Sequence, residues 1–542
     1  MSPLKRLQPL LLTLASAILL PLSLPNPLFD LGSPLLGIAA LVPVYIALSS
    51  LRSLRSVVWL GVLFGAVSTI LGNFWLAFFQ DFSIWTLGGA VVGYAIYNAL
   101  LFPFLFRSLQ ARLPYRPLWF AALWTGYELL KSIGFLGYPW GLIAYSWNEV
   151  LPFIQIADLF GVYGISFLLV LTNAVIAEFC TTGSAAAPAR AIVGPDRVCT
   201  EPPRAIAGLL QITAVLAALT AAAWTYGFAA MQRDIPEIGS LDLILIQNNG
   251  DPWLPGSFWQ ELEHTQRLTT QALAAGPPPD LVVWSETILR YPLEESRRQY
   301  QINPRNHPFL DFLGELQQPL LTGGSYMVDA EQRDMINAAL LLDPDGTIRE
   351  VYGKRQLVPF AETIPFFEYA PVRRFFAEAI GLRSMWLSGM EYRLFPIETS
   401  DGISLRYGTP ICFEDAFAGI TRDMVREGAD FFINLTNNSW SRTNSAQTQH
   451  FAAARFRSIE TRRTLVRSTN SGLTSVVDSW GRVTASLPMF TPAALRTTVP
   501  VHRPRHEPLY MVIGDAFAWL CLAAGLFGLA WQQLTGRNQA DR

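Results

Sequence analysis

Residues 408–415 read GTPICFED, so an apolar run ends at Cys412 and two carboxylates follow it directly. Residues 404–412 have the apolar and β-branched character of a buried strand. Layered α/β folds place their polar chemistry at the ends of such strands. The stretch therefore indicates an α/β fold and marks Cys412 as a candidate reactive residue. An isolated cysteine at a strand end is more often an inert core residue than a nucleophile. The role of Cys412 therefore has to be inferred from the rest of the chain.

The same apolar pattern recurs across residues 231–507. Further strands are predicted at 241–247 (LDLILIQ), 280–284 (DLVVW), 319–324, 337–343, 430–436, 464–469 and 473–478. Helices are predicted at 260–275 and 446–463, and the second places Phe451, Arg455, Ile459 and Arg462 on one face. Pro-Asp-Gly at 344–346 predicts a hairpin turn. These elements predict an α/β domain in which helices cover sheets.

The composition of the whole chain indicates a membrane protein. Its 542 residues are 51% hydrophobic and only 15% charged, with a mean hydropathy of +0.28, whereas soluble domains carry roughly 25% charged residues. A net charge of −2 argues against a nucleic-acid partner. Five scattered histidines and a single cysteine in residues 231–507 predict neither a metal site nor a cofactor.

About eight apolar segments have the length that a bilayer requires. They are residues 9–25, 34–50, 57–80, 84–106, 117–133, 157–179, 206–230 and 509–533. The first follows Lys5 and Arg6 like a signal peptide, but no small-residue cleavage site comes after it. We therefore predict an N-terminal transmembrane domain of about seven helices (1–230), a globular domain (231–507), and a C-terminal transmembrane helix with a tail (508–542).

Basic residues are concentrated in alternate loops between these segments. They are Lys5, Arg6, Arg52, Arg55, Arg107, Arg112, Arg116, Arg190, Arg197, Arg204, Arg537 and Arg542. The intervening loops at 26–33 and 81–83 carry no Lys or Arg, and Lys131 is the one exception to the pattern. By the positive-inside rule both termini are cytoplasmic. The 231–507 domain is then expected on the outer, periplasmic side of a bacterial cytoplasmic membrane.

A thiol, a carboxylate and an ammonium together can carry out acyl transfer. A thiolate attacks a carbonyl carbon, and a carboxylate takes the thiol proton. An ammonium stabilises the oxyanion and is expected to lower the thiol pKa. The spacing of these residues in the sequence does not show that they meet in the fold, and it leaves His450 as an alternative base.

Three motifs supply these groups in one order: residues 282–287 (VVWSET), 352–362 (YGKRQLVPFAE) and 410–414 (PICFE). They resemble the nitrilase superfamily, whose members carry a Glu-Lys-Cys triad on an α-β-β-α sandwich. Combined with the membrane segments, the whole chain resembles the bacterial apolipoprotein N-acyltransferase family. Residues 128–131 (ELLK), 137–141 (GYPWG) and 467–472 (RSTNSG) extend this resemblance.

The resemblance implies a role for each matching position. Cys412 would form a thioester with a fatty acyl chain, Glu286 would be the general base, and Lys354 would stabilise the oxyanion with N–H groups near Phe413. Four further positions match residues that support the site: Glu362, Glu414, Trp440 and Asn470. Glu362 and Glu414 are expected to hold Lys354, although an ordinary structural ion pair explains either one equally well.

The chain departs from the family pattern near the site. Phe413 stands where the family commonly has Tyr, and Ala361 and Thr363 replace the usual Gly and Tyr beside Glu362. Residues 434–442 (NLTNNSWSR) keep Trp440 but lack the Asp, Phe and Gly of a loop normally closer to SNDAWFG. These changes concern loop motion and acyl-chain preference and leave the triad intact.

The implied reaction has two steps. Cys412 takes an acyl chain from a phospholipid, and the α-amine of a diacylglyceryl-modified lipoprotein cysteine then takes it from Cys412. The enzyme is expected to act as a monomer in the bilayer. It is expected to need no ATP, because no P-loop is present.

One alternative is a membrane-anchored amidase that hydrolyses a small amide. Another is a transporter or receptor with an inactive nitrilase-like domain.

Two aromatic segments are predicted to be interfacial arms that admit lipid. Residues 365–389 include Phe375, Phe376 and Trp386 among interleaved arginines, and residues 251–259 include Trp253. A soluble core helix is the alternative explanation of the first segment.

In the membrane part, Glu128, Lys131 and Trp140 lie at the end of the fifth apolar segment. An ionisable pair at this position is either functional or a structural brace.

Overall fold

The computed structural model describes residues 3–79, 83–111, 115–183, 202–251, 254, 256–332, 334–364, 366–367, 369–380 and 385–540. The chain begins with a helical part. Its helices are α1 (Pro3–Ser23), α2 (Pro34–Gly37), α3 (Val42–Ser50), α4 (Leu54–Gly72), α5 (Ser83–Ser108), α6 (Tyr115–Ser132), α7 (Leu151–Ile154), α8 (Ala157–Gly183) and α9 (Pro202–Met231). Short 3₁₀ turns follow α4 at Phe74–Phe78 and precede α7 at Ile143–Trp147.

Several of these helices confirm a multi-span membrane part. Within the described residues, the segments long and apolar enough to cross a bilayer are Leu54–Gly72, Trp85–Ser108, Ala157–Thr181, Ile206–Met231 and Ala516–Leu534. Leu7–Ser23 and Pro34–Ser50 are shorter apolar stretches, and α6 carries charged Glu128 and Lys131. The expected number of about eight spans and the division at residues 230 and 508 therefore stay predictions. The predicted span 57–80 was too long, because α4 ends at Gly72.

The globular part contains two six-stranded sheets. The first has the order β12-β1-β2-β3-β4-β5 and the second the order β11-β10-β9-β8-β7-β6. The strands are β1 (Glu237–Gln247), β2 (Leu281–Val283), β3 (Leu320–Asp329), β4 (Asp334–Leu342), β5 (Ile348–Gly353), β6 (Leu394–Glu398), β7 (Ser404–Gly408), β8 (Phe431–Thr436), β9 (Leu465–Thr469), β10 (Ser475–Val477), β11 (Val483–Ser486) and β12 (Ala493–His502).

The two sheets pack face to face and helices cover both outer faces. The helices are α10 (Phe258–Ala274), α11 (Arg297–Tyr300), α12 (Phe309–Leu316), α13 (Ala370–Ile380), α14 (Ala418–Arg426) and α15 (Asn444–Thr461), and the chain ends with α16 (Leu509–Ile513) and α17 (Ala516–Ala540). Leu243 of β1 is buried in one cluster with Leu435 of the second sheet, while Ile244 is buried with Leu262 of α10. This alternation gives the predicted α-β-β-α sandwich.

Most predicted strands are confirmed, with one informative exception. The strand predicted over 404–412 ends at Gly408, because Pro410 cannot donate to a ladder and Cys412 has a left-handed φ of 50°. The turn at 344–346 is confirmed: Gly346 has a φ of 78°, and β4 and β5 pair antiparallel across it.

Helix α15 joins the two parts of the molecule and is buried on every side. The predicted face shared by Phe451, Arg455, Ile459 and Arg462 is therefore only partly right, since Arg462 leaves the helix with a φ of 53°. Its guanidinium forms a buried ion pair with Asp158 of α8 at 2.6 Å. The guanidinium of Arg455 lies 2.5 Å from Glu149.

We predict that Asp158→Asn destabilises the molecule, because Arg462 then becomes an unpaired buried cation. Breaking a buried pair from one side costs about 3–5 kcal/mol, which a lower melting temperature in detergent reports. Asp158→Asn/Arg462→Gln is expected to regain part of the loss. Glu149→Gln is the milder control, because Glu149 is 37% exposed. An unchanged melting temperature in Asp158→Asn would contradict this prediction.

Candidate active site

Cys412 lies in a sharp turn after β7. Three residues separate it from the end of the strand, and a 3₁₀ turn, Cys412–Ala416, begins at it. Its left-handed φ of 50° is a strained conformation, which costs about 1–3 kcal/mol and recurs at functional sites. The side-chain amide of Asn434 holds the turn by donating to the carbonyl oxygens of Pro410 (3.0 Å) and Cys412 (3.4 Å).

Glu286 follows β2 and is held from three directions. Its Oε1 accepts hydrogen bonds from Lys354 Nζ (3.1 Å) and Asn337 Nδ2 (2.9 Å), and its Oε2 accepts the Asn437 N–H (2.8 Å). The backbone of Glu286 packs directly on Gly323 of β3. A Cβ at Gly323 would lie 2.5 Å from the Glu286 Cα, so only glycine permits this approach.

Lys354 lies directly after β5 and is almost fully buried. Its side chain is 1% exposed, and Nζ lies 3.1 Å from Glu286 Oε1 and 2.8 Å from Glu362 Oε1. Tyr352 and Gly353 complete β5 by pairing with β4, so the position of Lys354 follows from the sheet register.

The two supporting carboxylates act in different ways. Glu362 contacts Lys354 directly, and its other oxygen accepts the Val358 N–H at 2.8 Å. Glu414 instead bonds backbone: it accepts the N–H groups of Arg355 (2.7 Å), Gln356 (3.0 Å) and Ile411 (2.8 Å). Glu414 therefore ties the segment after Lys354 to the turn that carries Cys412.

Asn470 supports the loop that faces Glu286. Its Nδ2 donates to Asn437 Oδ1 and Ser439 Oγ, both at 3.0 Å, and its Oδ1 accepts the Gly250 N–H at 2.7 Å. Asn437, whose N–H bonds Glu286, is thereby fixed. Neither Asn437 nor Asn337 was predicted from the sequence. Asn437 lies within a predicted site loop, but nothing in the local pattern around Asn337 distinguishes it from a strand residue.

The membrane part forms an aromatic wall beside Cys412. The Phe413 ring lies 6.0 Å from the Tyr138 ring and 6.2 Å from the Trp140 ring. Trp75 stands between Trp140 and Trp440, with ring centroids 5.6 Å from each. Trp440 therefore lies where the two parts meet, and Phe413, which has no hydroxyl group, contributes ring contacts to the wall.

Glu128 and Lys131 hold the loop that carries this wall. Glu128 Oε1 accepts the Ile143 N–H at 2.9 Å, and Lys131 Nζ donates to the Trp140 carbonyl oxygen at 2.8 Å. Both residues line a cavity of about 50 Å³ inside the membrane part. The contacts favour the brace interpretation of this pair, with the loop from Trp140 to Ile143 as the element that it holds.

His450 has other partners than the thiol in its described hydrogen bonds. One ring nitrogen lies 2.6 Å from Asp415 Oδ1 and the other lies 2.9 Å from Asn438 Nδ2. Asp415 also pairs with Arg467 at 3.0 Å. These contacts favour Glu286 over His450 as the base for Cys412. Within the described part of the chain, no cluster of His, Cys, Asp and Glu could hold a metal ion.

The described residues of the predicted arm 365–389 include exposed aromatic rings. Phe375 of α13 is 63% exposed, which argues against a core helix, and the Phe376 ring lies 5.4 Å from it. The Trp386 N–H donates to the Glu362 carbonyl oxygen at 3.2 Å. The backbone of Trp386 is thus fixed beside Glu362, which pairs with Lys354. Trp253, in the other predicted arm, lies outside the described residues.

Burial and charge set the protonation states at the site. Burial and the nearby carboxylate of Glu286 raise the pKa of Cys412 well above its usual value, and Lys354 only partly opposes them. Lys354 acts in the expected direction, but the net pKa of the thiol lies above its usual value and not below it as expected. Burial alone would lower the pKa of Lys354, but Glu286 and Glu362 outweigh it and raise that pKa. The resting site thus holds a neutral thiol beside a charged ammonium.

The two-sheet sandwich and the Glu286–Lys354 ion pair, whose charges act on Cys412, are typical of a nitrilase-type domain, and this domain lies on a membrane-spanning part. Two family models match the corresponding regions: the apolipoprotein N-acyltransferase N-terminal domain over residues 16–175 and the carbon-nitrogen hydrolase domain over residues 245–503.

Curated relatives match both regions at once. Apolipoprotein N-acyltransferase 2 of Treponema denticola is 39% identical over 90% of each chain. Apolipoprotein N-acyltransferase 2 of Treponema pallidum is 37% identical over 95% of this chain and 93% of the relative. The Borreliella burgdorferi apolipoprotein N-acyltransferase is 33% identical over 97% of this chain and 96% of the relative. The chain belongs to the apolipoprotein N-acyltransferase family.

The opposing charges around Cys412 predict opposite shifts of its pKa. Glu286→Gln removes a negative charge and lowers the thiol pKa, whereas Lys354→Met removes a positive charge and raises it. Alkylation of Cys412 by iodoacetamide, followed across pH by peptide mass spectrometry, reports each shift. We expect Glu286→Gln to alkylate at lower pH than the unmodified protein and Lys354→Met at higher pH. If the pH midpoints of alkylation move in the same direction in both variants, this charge balance is wrong.

Proposed function

We propose that this chain transfers a fatty acyl chain from a membrane phospholipid to the N-terminal amine of diacylglyceryl-modified lipoproteins. The observation that carries the proposal is the Glu286–Lys354 ion pair, whose charges act on Cys412 in a domain seated on a membrane part. The names of the relatives point to the same activity. Lipoprotein and phospholipid are then the substrates.

In the first step Cys412 becomes acylated. Glu286 takes the Sγ proton, and the thiolate attacks the ester carbonyl carbon of the phospholipid. The ammonium of Lys354 stabilises the oxyanion, aided by backbone N–H groups near Phe413. When the ester C–O bond breaks, the leaving lysophospholipid oxygen takes the proton from Glu286, and a Cys412 thioester remains.

In the second step the lipoprotein amine replaces the thiol. The neutral α-amine attacks the thioester carbonyl, Glu286 takes one amine proton, and the C–S bond breaks as the amide forms. Cys412 Sγ then regains its proton from Glu286. The thioester retains the acyl-transfer potential of the ester, so no nucleotide is consumed, and one base serves both steps.

Three observations favour transfer over hydrolysis of a small amide. The aromatic wall formed by Tyr138 and Trp140 belongs to the membrane part. Helix α13, in the chain segment between Lys354 and Cys412, exposes Phe375. The relatives that match both regions are named acyltransferases. Holding the site at the bilayer surface restricts encounter with lipid-anchored substrates to two dimensions.

We further propose that the catalytic domain lies on the periplasmic side of the bacterial inner membrane, with both termini in the cytoplasm. The alternation of basic loops supports this orientation. Cys180 and the predicted cytoplasmic residue Arg116 lie near each other in the fold, because Arg116 pairs with Glu178 of α8. Phe413, the neighbour of Cys412, lies beside Tyr138 and Trp140 of the membrane part, so the proposal places this junction on the periplasmic side.

Replacing Cys412 tests the intermediate directly. Cys412→Ala and Cys412→Ser are expected to abolish lipoprotein N-acylation, because neither retains the thiol. Purified unmodified protein incubated with phospholipid should carry a hydroxylamine-sensitive acyl adduct on Cys412, visible by mass spectrometry. Cys180→Ala is the matched control and should retain both adduct and transfer. N-acylation by Cys412→Ala would refute the mechanism.

The exposed aromatic segment predicts a separate effect on lipid access. Phe375→Ala/Phe376→Ala/Trp386→Ala is expected to lower acylation from phospholipid vesicles while leaving iodoacetamide labelling of Cys412 unchanged, since these rings gate lipid rather than the thiol. Ile302→Ala, which removes an equally exposed apolar side chain elsewhere on the domain, is the control. Unchanged turnover of vesicle lipid in the triple variant would exclude a role in lipid entry.

A further inference from the structure

Gln449 of α15 inserts a buried carboxamide into the membrane part. Its Oε1 accepts the indole N–H groups of Trp75 (3.1 Å) and Trp140 (2.8 Å). Its Nε2 donates to the carbonyl oxygens of Pro25 (2.8 Å) and Gly72 (3.2 Å). One side chain of the catalytic domain thus bonds the ends of α1 and α4 and the loop after α6.

His450, the next residue, bonds the turn that carries the nucleophile. Its Nε2 lies 2.6 Å from Asp415 Oδ1, and Asp415 belongs to the 3₁₀ turn that begins at Cys412. Arg467 holds the other carboxylate oxygen of Asp415 at 3.0 Å. His450 and Asp415 are both buried, with exposures of 2% and 0%, so solvent does not replace these bonds.

Trp140 connects the two contacts. Its indole N–H bonds Gln449, its ring lies 5.2 Å from the His450 ring, and the same ring lies 6.2 Å from that of Phe413. Phe413 is the neighbour of Cys412 in the chain. A shift of Trp140 therefore reaches the Cys412 turn by two routes, through Phe413 and through His450 and Asp415.

One nearby contact between the two parts lacks this second connection. Arg455 of the same helix bonds Glu149 (2.5 Å) and the Asn148 carbonyl oxygen (2.8 Å), which joins the parts without a described hydrogen bond to the Cys412 turn. An apolar side chain at position 449 could fill the same space. It would leave two buried indole N–H groups and two carbonyl groups without their partner, which is costly.

We propose that Gln449 and His450 are positioning residues that make the geometry of Cys412 depend on how the catalytic domain is seated on the membrane helices. The inference rests on the proposed acyl transfer, because it assigns these residues a role in that reaction. Neither residue touches the reacting atoms. Both act through Trp140, Phe413 and Asp415. The thiol is therefore correctly placed only when the catalytic domain is correctly docked on the membrane helices.

The test compares Gln449→Met with Glu149→Gln in the full-length protein. A misplaced catalytic group can cost about 10- to 100-fold in rate, so Gln449→Met is expected to lose that much kcat. Its KM for phospholipid should stay within about 2-fold, because lipid binding is not removed. Iodoacetamide should alkylate Cys412 faster in Gln449→Met, since the turn is loosened. Glu149→Gln should match the unmodified protein in kcat, KM and alkylation rate.

Substitutions of His450 test the second half of the link. His450→Leu should lower kcat as Gln449→Met does, whereas His450→Gln retains a donor near the Nε2 position and should recover most of the activity. Gln449→Met/His450→Leu should be no worse than the more damaged single variant, because residues in one network are not additive. If the loss of kcat in the double variant equals the product of the two single losses, the proposal of a shared route is wrong.

Two results would contradict the inference directly. One is wild-type kcat and alkylation rate in Gln449→Met, and the other is an equal loss of kcat in Gln449→Met and Glu149→Gln, which would indicate general docking only. Failure of the unmodified protein to transfer an acyl chain would refute the proposed function instead. The alkylation rates of the same variants would still decide whether Gln449 controls the Cys412 turn.

Discussion

The buried ammonium of Lys354 between the carboxylates of Glu286 and Glu362 is the interaction on which the site depends. Its side chain is 1% exposed, and the two N–O distances are 3.1 and 2.8 Å. A charge removed from water costs several kcal/mol unless it is paired. The register of the first sheet must therefore hold all three groups together, since Glu286 follows β2, Lys354 follows β5, and Glu362 lies in the segment beyond. Asn337 of β4 bonds both carboxylates and completes the arrangement.

The second requirement is that the globular part stays seated on the membrane part, and helix α15 with its C-terminal cap Arg462 makes buried polar contacts between them. Arg462 pairs with Asp158, and Gln449 bonds the ends of α1 and α4. Arg457 of the same helix donates to the Ala416 carbonyl oxygen at 2.8 Å, at the end of the Cys412 turn. One helix therefore contacts the membrane part and the nucleophile turn at the same time, which explains why so many of its polar residues are buried.

Much of this organisation could be predicted from local patterns. The strands at 241–247 and 430–436 are apolar and β-branched, and the apolar segments before residue 230 are long. The periodicity and length of each apolar run therefore identify it as a strand or as a membrane segment. Four strands were missed because polar residues or a proline (Pro396, Pro500) interrupt their apolar pattern: β5, β6, β11 and β12. Asn337, Asn437 and Gln449 were missed for a different reason. Their roles arise from partners distant in the sequence, such as Gln449 with Pro25 and Gly72, and no local pattern contains that information.

The pKa of Cys412 follows from the same charge balance and bears on how the thiol survives between reactions. Two carboxylates surround one ammonium, so the site has an excess of negative charge, and burial adds to its effect on the thiol. Oxidation and stray alkylation require thiolate, and Cys412 is the only cysteine of residues 231–507. A neutral, 9% exposed thiol is therefore protected in the proposed oxidising compartment without a disulfide partner. The cost is that Cys412 needs a base within reach for each turnover, which is why a fixed carboxylate at Glu286 suits this site better than an activated thiolate would.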